Sequence, residues 1–263
     1  MPEIKSFKLF SNNNEKAKNV EEVVRKKLLE NDFLENDDFD LGIAIGGDGS
    51  FLRMVKNTNF NSNVLYVGIN AGTLGFAQEV TLETLDDFIK DLKSENYKVD
   101  TIGVQKTKVV TNNGDSIFYS LNEIVIREKD LNTATFNIEV DGVFLEKFQG
   151  DGLLIATSFG STAYNLSFGG SIIYNTFHTL QITPIAPLNN KAYRNLMNSV
   201  VLPENFIVRI SPENPNLLIT IDGENSCYEN VSYIETSVKD KRIKCLRTKD
   251  YDFILKVNEK FLK

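Results

Sequence analysis

The sequence predicts an α/β domain followed by a mostly β domain, and three observations carry the prediction. Through roughly the first hundred residues, short apolar runs alternate with apolar residues spaced for helices, the pattern of a parallel sheet with helical crossovers. Beyond "NYKVD" the apolar runs follow one another through turn residues with no helical stripe between them. At 263 residues the chain is long enough for two compact cores.

The elements follow in order. "FKLF" reads as a short strand, and Val20, Val23, Val24, Leu28 and Leu29 recur at helical spacing among lysines and glutamates. "LGIAI" and "VLYVGIN" read as strands buried on both faces, with a helix beginning near Gly49 between them. Leu82, Leu85, Ile89 and Leu92 form the next helical stripe. In the second half, "KVVTNNGDSIFYSLNEIVI" carries an Asn-Gly turn signal and "FNIEVDGVFLEKF" an Asp-Gly one, while "VSYIETSVKDKRIKCLR" reads as a later hairpin. The ending "YDFILKVNEKFLK" reads as a helix. The expected organisation is a Rossmann-like α/β domain over 1–100, a sandwich-like β domain over 101–247, and a tail, 248–263, that packs back on the first domain.

Hydrophobic residues make up 41% of the chain and charged residues 25%, with 16 glycines and 6 prolines, the composition of an ordinary globular protein. A net charge of -7 argues against a general affinity for nucleic acid or anionic membranes, both of which need a positive footprint. Neither a signal-peptide run nor a membrane-spanning run is present, and a cytoplasmic location is expected. Cys227 and Cys245 lack metal-ligand spacing and are expected as buried thiols, and the sole histidine, His178, is expected on the surface or in packing.

One loop stands out. In "LGIAIGGDGSFLRMVKN" a buried strand ends in glycines at 46, 47 and 49 and a helix follows, which suits a phosphate approaching backbone N–H groups at a helix N-terminus. The spacing is neither Gly-x-Gly-x-x-Gly nor the pattern ending in Gly-Lys-Ser/Thr. Asp48 is the informative residue, because a carboxylate beside phosphates is repelled unless a cation intervenes or it serves as a base toward a hydroxyl. In phosphoryl transfer an aspartate does either, coordinating Mg²⁺ or accepting the proton of the attacking alcohol. The bland reading makes Asp48 a helix cap. A second run, "GDGLLIATSFGSTAYNLSFGG", offers small hydroxyl residues, backbone donors and a tyrosine ring for a flat heterocycle.

"GGDGS", "LNE" at 121–123, "GDG" at 150–152 and "GSTAYN" at 160–165 occur in the order that resembles the NAD kinase family, the likeness spanning roughly residues 41 to 225. The resemblance implies a kinase that phosphorylates the 2′-hydroxyl of the adenosine ribose of NAD, with ATP or another donor and Mg²⁺ carried mainly on the nucleotide phosphates. It implies Asp48 as the catalytic residue, with Gly46, Gly47 and Gly49 leaving room for phosphates. Phe76, Asn122, Glu123, Gln149, Asp151, Thr162, Ala163, Tyr164 and Ser167 are implied to line the dinucleotide pocket. "IAPLNNKAYR" resembles the stretch by which a neighbouring subunit completes the site, with Ala186 and Tyr193 at the matching positions, and implies a homo-oligomer, commonly a tetramer. "TIDGE" at 220–224 resembles a segment near the acceptor.

The chain departs from the family pattern in three places. Thr157, Ser158, Phe159 and Gly160 stand where the family reads Thr-Pro-Ser/Thr-Gly, Gln149 stands where arginine is common, and Ser50 replaces a threonine. A lipid or sugar kinase sharing the glycine–aspartate loop is the enzyme alternative, and a non-catalytic NAD or NADP sensor is the binding alternative.

Overall fold

The computed structural model describes residues 4–72, 75–191 and 193–263. Residues 1–3, 73 and 74 of the expected first domain and Ala192 of the expected subunit-contact stretch lie outside these. The chain forms two compact units, one comprising the residues up to Ile102 together with Arg242–Lys263, the other Gly103–Lys241.

The first unit contains β1 (Ser6–Ser11), α1 (Glu15–Leu29), β2 (Leu34–Glu35), β3 (Leu41–Gly46), α2 (Asp48–Asn57), β4 (Leu65–Asn70), β5 (Gln78–Val80), α3 (Leu85–Lys93) and the start of β6 (Tyr97–Thr111). Strands β2, β1, β3 and β4 lie in that order, all parallel, and β5 pairs in parallel with β4 as well. Every residue of β3 is buried, as a strand covered on both faces requires. Helix α1 begins at Asn14, whose side chain accepts from the Ala17 N–H at 2.8 Å, and it buries Ala17, Val20, Val24 and Leu28. Val23 and Leu29, expected in the same stripe, face solvent. Helix α3 buries Leu85, Phe88, Ile89 and Leu92. Leu82 precedes it and is exposed, a correction to the expected stripe, because the helix starts only after Thr84.

The second unit holds the rest of β6, then β7 (Gly114–Ser120), β8 (Glu123–Glu128), β9 (Ala134–Val140), β10 (Val143–Gly150), β11 (Gly152–Thr157), the short helix α4 (Tyr164–Ser167), β12 (Thr179–Ile185), β13 (Val200–Pro203), β14 (Val208–Pro212), β15 (Leu217–Ile221), β16 (Glu224–Tyr228) and the first part of β17 (Val231–Thr248). A six-stranded antiparallel sheet runs β13-β12-β11-β8-β15-β16. A second layer runs β10-β9-β14-β17, with the β6–β7 hairpin joined to β17. Ile124, Ile126, Leu153 and Ile155 of the first layer and Phe136, Ile138, Phe148 and Ile234 of the second share one apolar core, the arrangement of a sandwich. The Asn-Gly and Asp-Gly signals close the β6–β7 and β9–β10 hairpins.

The expected hairpin over 231–247 is one continuous strand, β17, of 18 residues. Lys239-Asp240 supplies no glycine or proline to turn the chain, so the strand runs on. Its first part pairs with β14, and its end, Lys244 and Cys245, pairs in parallel with Leu65 and Tyr66 of β4. That pairing draws the chain into the first unit from Arg242, ahead of the expected 248. Cys245 is buried, and burial pushes its thiol up to about 12. Cys227 lies on edge strand β16 and is exposed, against the expectation of a buried thiol, because that strand has a neighbour on one side only.

The last helix, α5 (Phe253–Phe261), is started by Asp252, which accepts from the Ile254 and Leu255 N–H groups at 2.8 and 3.0 Å. It packs on residues 76–79. Lys256 Nζ donates to the carbonyls of Phe76 and Gln78 and to Glu79 Oε1 at 3.0 Å. Glu79 Oε1 also receives Arg247 Nη1 at 2.5 Å, and Arg247 Nε donates to Asp100 Oδ2 at 2.9 Å. The side chains of Arg247 and Glu79 are each only 2% exposed, so this is a buried, charge-balanced network. Arg247→Leu leaves Glu79 and Asp100 short of a partner in low dielectric and is expected to cost about 3 kcal/mol or more, read as a lowered urea midpoint.

Candidate active site

In the first unit the chain leaves β1 for β2 on one flank, while β3 lies on the other, so the carboxyl ends of β1 and β3 form the switch point at which open α/β sheets receive ligands. The glycine–aspartate turn sits there. Gly46 has φ +140°, which a side chain tolerates poorly, and a Cβ at Gly47 would meet nothing within 4 Å, so the turn is open to an approaching group. Ser50 is buried beneath it. Arg53, one turn on, donates to Ser50 Oγ at 3.4 Å and to Asn12 Oδ1.

Asp48 does not cap α2: Gly47 holds the N-cap position and Asp48 is the first helical residue. Its carboxylate turns instead to residues 76 and 77. Oδ1 accepts the Ala77 N–H at 2.9 Å, while Oδ2 accepts the Phe76 N–H at 3.2 Å and Lys260 Nζ at 3.1 Å. The side chain stays 37% exposed, so one face of the carboxylate reaches solvent. A Cβ at Gly75 would run into both Asp48 Oδ1 and Gln78 Oε1, so a side chain there displaces one or both, and the Gln78 amide borders the same small space. Gln78 is buried, and among the described residues neither end of its amide has a hydrogen-bond partner. The Phe76 ring lies in an aromatic cluster, 6.1 Å from Phe253 and 5.4 Å from Phe261, so what it offers Asp48 is its N–H.

In the second unit the predicted residues gather at the two ends of β11. Glu123 pairs with Ala156 near the far end, where the loop after Thr157 is pressed onto the Leu-Asn-Glu stretch. Thr157 donates from Oγ1 to the Leu121 carbonyl at 2.6 Å and from its N–H to the Asn122 carbonyl at 2.9 Å. A Cβ at Gly160 would collide with the Asn122 backbone. Asp222, in the turn after β15, accepts the N–H groups of Leu121 at 2.7 Å, Asn122 at 2.8 Å and Glu123 at 3.2 Å. Burial, with Asp222 nearby, pushes the Glu123 carboxyl up to about 8 against an opposing hydrogen bond from the Tyr164 N–H.

Thr162 and Ala163 lead into α4, which carries Tyr164 and Ser167. The exposed Tyr164 ring packs edge-on against Phe168 at 4.8 Å, and its hydroxyl accepts Arg127 Nη2 at 3.3 Å. The loop is tied down behind by Asn165, whose Oδ1 accepts Thr183 Oγ1 at 2.6 Å. Phe159, the departure from the family pattern, is buried in the same loop.

At the other end of β11, Asp151 is exposed and its N–H donates to the Ile185 carbonyl at 2.9 Å, beside Ala186. Gln149 accepts at its carbonyl from the Leu188 N–H at 2.8 Å and from Asn195 Nδ2 at 3.1 Å, which fastens the 186–195 stretch to β10. Tyr193 is exposed within that stretch, its N–H donating to Asn190 Oδ1 at 3.0 Å. Asp151, Gln149, Ala186 and Tyr193 thus form one group, and Asn122, Glu123 and 162–167 another.

Sequence reasoning missed Lys260, Gln78, Asp222 and Arg127 as site residues. Asp222 had a signal in "TIDGE". Lys260 had none, since it stands 212 residues from Asp48. Among the described residues no group of three or more His, Cys, Asp or Glu side chains is placed to hold a metal ion.

An open parallel sheet with a glycine turn presenting one anchored carboxylate, in a chain that also carries a β sandwich, is the build of a nucleotide phosphotransferase. The chain matches the ATP-NAD kinase N-terminal domain over residues 4–97 and the ATP-NAD kinase C-terminal domain over 121–246. It is 37% identical to a NAD kinase of Finegoldia magna over 98% of each chain. It is 34% identical to a NAD kinase of Streptococcus pneumoniae over 98% of this chain and 96% of the relative. Its fold is that of yeast NADH kinase complexed with NADH, with a TM-score of 0.82 at 19% identity over 98% of this chain and 88% of that one. It is also that of an NAD kinase from Archaeoglobus fulgidus in complex with ATP, with a TM-score of 0.76 at 19% identity over 96% and 98%. The chain belongs to the NAD kinase family.

The Glu123 carboxyl gives a pH-dependent test. Folded, it keeps its proton to about pH 8, whereas unfolded it loses it near 4.5, so between these values the folded state binds more protons and stability falls as pH rises. Glu123→Gln removes that fall. The variant is expected to be more stable than the parent at pH 8 and to lose its advantage toward pH 4.5, as read from thermal midpoints across the range.

Proposed function

We propose that the chain is an ATP-dependent NAD kinase in which Asp48 accepts the proton of the adenosine ribose 2′-hydroxyl. The oxygen then bonds to the terminal phosphorus of ATP as the bond from that phosphorus to the bridging oxygen breaks, and NADP and ADP leave. The observation that carries the assignment is the Asp48 carboxylate, held by two backbone N–H groups in the glycine turn yet open to solvent on one side. A carboxylate fixed in this way needs no reorientation when the hydroxyl arrives. Oδ2 already accepts two donors and Oδ1 one, which favours Oδ1 as the atom that takes the proton.

Mg²⁺ fits this reading as an ion carried on the ATP phosphates, because among the described residues no group of three or more His, Cys, Asp or Glu side chains is placed to hold it and this ion needs few protein ligands. When bound it neutralises charge on the transferring phosphoryl group. Gly46, Gly47 and Gly49 leave the backbone accessible to those phosphates. Asn122, Glu123, Thr162, Ala163, Tyr164 and Ser167 are assigned to the dinucleotide, with Phe76, Gln149 and Asp151. A Glu123 carboxyl that is uncharged at neutral pH gives and accepts hydrogen bonds without repelling a pyrophosphate.

The same proposal makes the protein a cytoplasmic homo-oligomer, a tetramer by family resemblance, with Ala186 and Tyr193 completing a neighbour's site. The exposed side chains of Tyr193, Leu196 and Met197 in a stretch anchored by Asn195 support it. Sedimentation velocity at micromolar concentration is expected to show the assembly, and a monomer at all concentrations rejects it.

The reaction is tested by incubating the protein with NAD, Mg²⁺ and either ATP or polyphosphate and detecting NADP with an NADP-specific dehydrogenase. Asp48→Asn is expected to lower turnover about a hundredfold or more while the fold persists. Near-normal turnover in the variant removes Asp48 from its role. Absence of product from a folded, NAD-binding parent with both donors selects the sensor reading instead.

A further inference from the structure

The carboxylate in the glycine turn poses an electrostatic problem, because the site proposed above brings Asp48 beside nucleotide phosphates, and like charges at that range repel. The nearest positive group comes from the other end of the chain. Lys260, in the last turn of α5, places Nζ 3.1 Å from Asp48 Oδ2 and 5.0 Å from the centre of the Phe76 ring. An exposed ion pair carries little weight by itself. This one is largely shielded and held from two sides: the Lys260 side chain is 28% exposed, its helix is fastened one turn earlier by the partly buried Lys256, and the ring beneath it belongs to the residue whose N–H also holds Asp48.

We infer that Lys260 is a positioning residue for the phosphoryl transfer: its ammonium group holds Oδ2 of Asp48 and offsets the carboxylate charge, so that Oδ1 remains directed to the acceptor hydroxyl while phosphates approach. The inference rests on the catalytic reading of Asp48 and goes beyond it, since it gives the C-terminal helix a part in the reaction. It separates two functions on one helix. Lys256 fixes the segment that supplies the backbone donors, and Lys260 acts on the carboxylate itself.

Lys260→Met and Lys260→Gln keep most of the side-chain length and remove the charge, and Lys260→Arg keeps the charge. The neutral variants are expected to lose about tenfold or more in kcat with KM for NAD changed less than about twofold, because the lost contact acts on the reacting carboxylate and not on dinucleotide binding. Lys260→Arg is expected to stay within about threefold of the parent kcat, and thermal midpoints report whether each variant is folded. A kcat within about twofold of the parent in a folded neutral variant overturns the inference, as does a loss carried wholly by KM for NAD or an arginine variant no better than methionine. A parent that makes no NADP defeats the catalytic reading instead, so the two failures are distinguishable.

Discussion

The buried carboxylate of Glu79 is the contact on which the geometry of the first unit depends. It receives Arg247 from the end of β17 and Lys256 from α5, and so joins two chain-terminal elements to β5. Taking such charges out of water costs several kcal/mol per ion, so the network is a poor source of net stability. Its effect is positional. It fixes residues 76–79, of which Phe76 and Ala77 hold Asp48 through their N–H groups, and the Phe76, Phe253 and Phe261 rings pack on the same segment. The carboxylate therefore inherits its position from a helix far away in sequence, through one strand and one ion network.

The second unit solves a comparable problem without buried cations. The Leu-Asn-Glu stretch enters β8 from a bend whose three successive N–H groups need acceptors, and Asp222 supplies them from the turn after β15. Thr157 and Gly160 then bring the following loop into backbone contact with Asn122. Close approach of two chains leaves little room for water around Glu123, and that desolvation is the main reason its carboxyl holds a proton. The acid–base state of Glu123 thus follows from the packing that places it.

Much of this was legible in the sequence. The alternation of buried strands with amphipathic stripes specified the parallel sheet, and Asn-Gly and Asp-Gly specified two hairpins, because these signals act within a few residues. The glycine turn was readable for the same reason, and so was the presence of a carboxylate that required a partner. What the sequence left hidden depends on contacts between distant residues. Lys260 has the composition of any surface lysine until α5 is seated on residues 76–79. Asp222 stood in "TIDGE", a stretch noted only for its likeness to a segment near the acceptor, and nothing in it named the amides it would hold. The stretch 231–247 read as a hairpin, whereas pairing with β14 at one end and β4 at the other makes it one continuous strand.

The overall charge and the task of this chain pull in opposite directions, since a protein of net charge -7 is asked to bind polyanions. Screening limits the conflict: at physiological ionic strength exposed charges farther than about 8 Å contribute little, so the near environment decides. There the acidic groups are dealt with one at a time. Glu79 is neutralised by two cations, Asp48 faces Lys260 and backbone N–H groups, and Glu123 gives up its charge to burial. Each arrangement uses a different physical means to the same end, a carboxyl group held in place with its charge offset or absent. The resulting surface remains acidic, which favours solubility and suppresses nonspecific contact with nucleic acid, while the local field at each predicted site is set by the few groups in contact with it.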